Sequence, residues 1–87
     1  MTALADAVRH LEQGDWQAAH LIVQNDESPL GCWAHGIVHI MEGDLDNAGY
    51  WYRRASRKLP DARWDRAQDR DAAVAAEIAE LCLSASP

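Results

Sequence analysis

His35 and His39 stand four residues apart, so a helix carrying them aims both imidazoles to one side. Two neutral imidazoles at that spacing can share one divalent transition metal ion, with Cys32, Glu42 or His20 from a neighbouring helix as further ligands. Gly36 follows His35, so the glutamate that activates water in the His-Glu-x-x-His pattern of zinc proteases is missing. The same rings have a plainer use. His39, and His10 at the corresponding place earlier in the chain, can pack between helices and donate to a carbonyl or carboxylate. Cys32 and His35 have the residue types of a nucleophile and its base, but a reactive thiolate also needs a fixed cation or helix N-terminus, an orienting group and an oxyanion site. None of these is legible here. The residues therefore read against an enzyme, and no cofactor is expected.

The elements that must position these side chains are helices. Ala, Leu, Glu, Gln and Arg dominate, Phe is absent, and apolar residues recur at three and four rather than at two. Gly14-Asp15, the stretch Asn25 to Pro29, Gly43-Asp44 and Leu59-Pro60-Asp61 divide the chain into five helical segments. The first, about residues 2 to 13, has Leu4, Ala7, Val8 and Leu11 as its apolar stripe and stops at Gly14. Asp15 caps the second, which buries Trp16, Ala19, Ile22 and Val23. Ser28 as cap and Pro29 at the first helical position open the third. Gly43 and Asp44 repeat the first device, and Leu45, Ala48, Tyr52 and Ala55 line the fourth, whose run Pro60 limits. The last helix is expected from about Arg70 to Leu83, with Val74, Ile78, Leu81 and Cys82 inward; residues 60 to 69 are either its early turns or a loop.

Composition removes several function classes. In 87 residues there is room for one domain, and 48% hydrophobic against 25% charged residues argues for a folded one. No apolar run approaches the roughly 18 residues of a membrane span. The first residues mix acid and base where a signal peptide is continuously apolar, so the expected compartment is the cytoplasm. Cys32 and Cys82 suit reduced thiols. The net charge is -6, spread unevenly: residues 1 to 52 hold one base against eight acids, and residues 53 to 70 hold seven bases against three acids. Arg53, Arg54, Arg57, Lys58, Arg63, Arg66 and Arg70, with Trp51 and Trp64, have the types that meet phosphate and bases. The net acidity and the interleaved Asp61, Asp65 and Asp69 favour a solvated face instead, so nucleic acid is not the expected partner. Tyr50, Trp51 and Tyr52 are consecutive and cannot all face the core of one helix; one of them beside Arg54 is a candidate contact point.

The chain also repeats itself. His10 to Ala19 laid over His39 to Ala48 matches His, Gly, Asp and Ala at an offset of 29 residues, Gly14 falling on Gly43. Residues 29 to 60 resemble a tetratricopeptide repeat, with Gly36, His39, Ala48, Tyr52, Ala55 and Pro60 at the spacings that family uses for small, aromatic and proline positions. Residues 3 to 28 match through Gly14, Asp15, Ala19 and Val23. The chain departs from the family in its offset, shorter than the usual 34 or so, and in having Cys32 where a large aromatic is usual, with Trp33 one place late. The string Glu42 to Ala55 further resembles small uncharacterised helical proteins of bacteria and fungi, which brings no function with it. At Gly36 and Ala48 two backbones should cross closely, with Tyr52 beside them.

The resemblance implies that the first helix of each hairpin lines a groove, here built from Leu30, Trp33, Ile37, Ile40 and Met41. Either the last helix folds over it as a cap or it receives a partner's amphipathic helix or a second copy of the chain. The expected fold is therefore all-α, two tandem antiparallel hairpins plus a C-terminal capping helix in one domain. The expected function is protein interaction or assembly, with a protein partner or self-association, through Trp33, Ile37, Ile40 and Met41 or through Tyr50, Trp51, Arg53 and Arg54. The alternative is a metal or histidine-based site at His20, His35 and His39.

Overall fold

Gly14 and Gly43 adopt left-handed backbone, with φ of 78° and 92°, and each ends one helix and hands over to the next. The computed structural model describes residues 3–60 and 67–85. Their regular structure is helical throughout: α1 Ala3–Glu12, α2 Trp16–Val23, α3 Pro29–Glu42, α4 Leu45–Arg54 and α5 Ala67–Ala85. After α1 the Asp15 amide donates to the His10 carbonyl at 2.8 Å, and after α3 the Asp44 amide donates to the His39 carbonyl at 2.9 Å. Each aspartate then accepts from the next helix, Asp15 from the Ala18 amide at 3.1 Å and Asp44 from the Asn47 amide at 3.2 Å. The repeat seen in the sequence is thus also a repeat of turn geometry, in the closing aspartate amide and in the cap. Ser28 caps α3 as expected, its hydroxyl accepting from the Gly31 amide at 3.1 Å with Pro29 in the first turn.

One boundary falls well inside the limit expected of it, and one differs from expectation. The fourth helix stops at Arg54, well short of Pro60, because Ser56 takes left-handed backbone at φ 58° and the Arg57 amide bonds the Tyr52 carbonyl at 2.9 Å. That is the same closure the two glycines make, built on a residue that does not advertise it. The last helix begins at Ala67 rather than near Arg70 and runs to Ala85. Asp61, Arg63, Trp64, Asp65 and Arg66, with the charge alternation expected of them, lie outside the described residues.

Packing follows chain order, α1 on α2, α2 on α3 and α3 on α4, and α5 then folds back across α1 and α3. The core takes Ala7, Val8 and Leu11 from α1, Ala19 and Val23 from α2, and Val74, Ile78 and Leu81 from α5. Leu4, Trp16, Ile22 and Cys82, expected inside, pack against this core only half-buried. Touched by every other helix, α3 is buried along its whole length from Gly31 to Ile40. Its apolar face, Trp33, Ile37 and Ile40, lies under α5 with Met41 half-buried beside it, so the cap fills the groove. On the α4 side, a methyl added to Gly36 would stand 2.7 Å from Tyr52 Cε1 and 3.4 Å from the Ala48 carbonyl oxygen. That is the close crossing the spacing predicts. No described helix is long and apolar enough to cross a membrane.

Candidate metal centre

Burial of α3 on all sides forces its polar residues inward along with its apolar ones, and the polar side meets α2 and α4. His35 and His39 are 4% and 7% exposed. His20 reaches them from α2, which Asp15 anchors one turn before it. The His20 and His35 ring centroids are 4.9 Å apart, His20 and His39 5.5 Å, and His35 and His39 4.9 Å. One potential ligand atom from each ring lies within 4.8 Å of the other two. In a tetrahedral zinc site with bonds of roughly 2.0–2.1 Å the nitrogens are about 3.4 Å apart, so inward shifts under about 1 Å per ring close the triangle.

The surroundings prepare these rings as ligands. Glu42 Oε1 lies 2.7 Å from His39 Nδ1. Opposite an ionised carboxylate, which accepts only, the proton belongs on Nδ1, and in the neutral ring Nε2 is then the ligand atom. Burial, then the nearby His39 and His20 rings, push the His35 imidazole down to about 4 from an ordinary 6.5, leaving it neutral at pH 7. Its Nδ1 is buried without a hydrogen-bond partner among the described residues. An unsatisfied buried nitrogen costs roughly 1–3 kcal/mol, a deficit that a cation bound at that nitrogen would remove. His10 Nδ1 shares this condition, but among the described residues His10 joins no ligand cluster.

Cys32 is not part of the cluster. Its thiol is buried, directs its hydrogen toward the Asp26 carbonyl at 3.9 Å, and is pushed further up by that burial. It stays protonated at neutral pH, which removes the thiolate a Cys32–His35 nucleophile pair requires. A second grouping, His39 with Glu42 and Asp44, sits at the end of α3. Its Asp44 is already committed to capping α4.

The remaining expected site residues divide. Trp33, Ile37 and Ile40 are inside, Met41 is half-buried, and Tyr50, Arg53 and Arg54 are exposed. Trp51 is half-buried against His35, with ring centroids 3.9 Å apart. The Arg54 guanidinium sits 5.1 Å from the Trp51 ring centroid, donates to the Tyr50 hydroxyl at 3.4 Å and approaches Glu27 at 3.6 Å. Arg57 lies over the Trp33 ring and pairs with Glu80 at 3.2 Å. Arg54 and Arg57 of the basic stretch thus have partners within the chain.

Sequence reasoning passed over Glu77 and the Trp51–His35 stack. The Glu77 carboxylate accepts from Trp33 Nε1 at 3.2 Å and from the Tyr52 hydroxyl at 2.8 Å, joining α5 to α3 and α4. Burial and this bond push the Tyr52 phenol strongly up. The available signal was that buried Trp and Tyr need acceptors. A shallow groove of about 400 Å³ lined by Leu11 of α1, Trp16 of α2, Met41 of α3, and Val74 and Ile78 of α5 borders none of the histidines. Comparison with protein-family models, curated proteins and solved structures finds no match to this chain.

Proposed function

We propose that this protein binds a divalent transition metal ion through His20, His35 and His39. The observation that carries the reading is the convergence of three imidazoles from two helices, each with a ligand atom within 4.8 Å of the others. Imidazole nitrogen suits zinc, copper and nickel, and His39 has the outer carboxylate partner that fixes metal-ligating rings. His35, neutral at pH 7, has no proton to release on binding. Calorimetric titration of the full chain with Zn2+ tests this. One ion per chain is expected, with losses for His20→Ala, His35→Ala and His39→Ala greater than the roughly 10–100-fold that loss of an outer partner costs. Failure of the parent chain to bind would sink the reading.

The interaction reading is narrower than the sequence suggests. Burial of Trp33, Ile37 and Ile40 under α5 leaves Tyr50, Arg53 and Arg54 as its exposed contacts. The crossing at Gly36 and Tyr52 supports the tetratricopeptide-like reading of residues 29 to 60. In that reading a protein partner or second copy docks at the Tyr50 end of α4, and sedimentation of wild-type and Tyr50→Ser chains measures the self-association part of it.

A further inference from the structure

The three histidines would give a bound divalent ion three ligands and no charge. Three imidazoles satisfy three of the four positions of a tetrahedral ion. Two side chains near the cluster in sequence are otherwise engaged: Glu42 holds His39 Nδ1 at 2.7 Å, and the Cys32 thiol points to the Asp26 carbonyl. No fourth His, Cys, Asp or Glu joins His20, His35 and His39 among the described residues. His20 is half-buried where the other two rings are almost fully enclosed, so the opening to solvent is on the α2 side. Neutral imidazoles cancel none of the ion's two positive charges, and Glu42 in the outer shell cancels one. An uncompensated charge in such an enclosed place is costly, and an anion supplied from outside removes it.

Resting on the metal-binding reading, we infer that the fourth position is open and takes a small anionic oxygen ligand, a carboxylate or its like. Glu42 is then a positioning residue that orients His39 rather than a ligand. An open fourth position is also what separates reactive zinc sites from structural ones.

The test is visible spectroscopy of the full chain loaded with Co2+, which reports coordination directly. Intense d–d bands characteristic of a tetrahedral site, shifting saturably as acetate is added, are expected. Glu42→Gln should keep the band shape, lose roughly 10–100-fold in Co2+ affinity, and bind acetate more tightly because one compensating charge is gone. Bands that ignore acetate in the parent but respond in Glu42→Gln would show that Glu42 itself closes the site, overturning the inference while metal binding stands. Bands that ignore acetate in both chains overturn it equally. If no bands develop, the metal-binding reading falls and this inference falls with it.

Discussion

The imidazole of His35 lies flat on the indole of Trp51, the ring centroids 3.9 Å apart and the planes 13° from parallel. The stack presses a titratable ring of α3 against an aromatic of α4 and keeps water from it. Its consequence is a pH dependence. Above pH 6.5 His35 is neutral in both folded and unfolded chains and contributes no slope. Between 6.5 and about 4 the unfolded chain takes up a proton that the folded one refuses. Stability therefore falls as pH falls through that window, with a slope approaching about 1.4 kcal/mol per pH unit. Urea unfolding between pH 7 and 5 measures it, and His35→Gln should flatten the curve. An unchanged slope in that variant would mean the proton goes elsewhere.

Gly36 and Gly49 lie on facing helices, and the same substitution should act oppositely at the two. Alanine at Gly36 places its methyl 2.7 Å from Tyr52 Cε1, so a fully buried ring must shift. Destabilisation of about 1–3 kcal/mol is expected from overpacking. Alanine at Gly49 meets nothing nearer than Arg53 Nη1 at 3.5 Å, and should gain roughly 0.5–1 kcal/mol from helix propensity alone. Denaturant midpoints of the two variants decide the matter.

Glu77 ties the last helix down, since one oxygen accepts from both Trp33 and Tyr52. Glu77→Ala strands two buried donors and should cost on the order of 2–4 kcal/mol. Glu77→Gln keeps an acceptor oxygen and should cost less. Amide hydrogen exchange across Ala67–Ala85 distinguishes local release of α5 from a general loss of stability.

Ser56 has left-handed backbone, with φ of 58°, without being glycine. A non-glycine residue there costs roughly 1–2 kcal/mol, and glycine's extra unfolded-state freedom returns part of the difference. Ser56→Gly should stabilise the protein by about 0.5–1 kcal/mol in thermal unfolding, without altering metal affinity.

By itself the sequence determined whatever is settled within a few residues. Gly14-Asp15, Gly43-Asp44 and Ser28-Pro29 begin and end helices by bonds that reach no further than five positions, so their residue types suffice. The heptad-scale spacing of Ala7, Val8 and Leu11, and of Val74, Ile78 and Leu81, marked the buried faces for the same reason. The end of α4 escaped because Ser56 has no intrinsic preference for the backbone it adopts, in which the Ser56 and Arg57 amides close on the Arg53 and Tyr52 carbonyls. Sequence alone also put His35 and His39 on one side of a helix, and left open whether that side meets water, another chain or this one. Only the tertiary structure decided it. Enclosure of α3 by all four other helices turned the groove of Trp33, Ile37 and Ile40 into core. The same enclosure brought His20 across from α2, 15 residues before His35, a distance over which chain entropy and not residue spacing sets the odds of meeting.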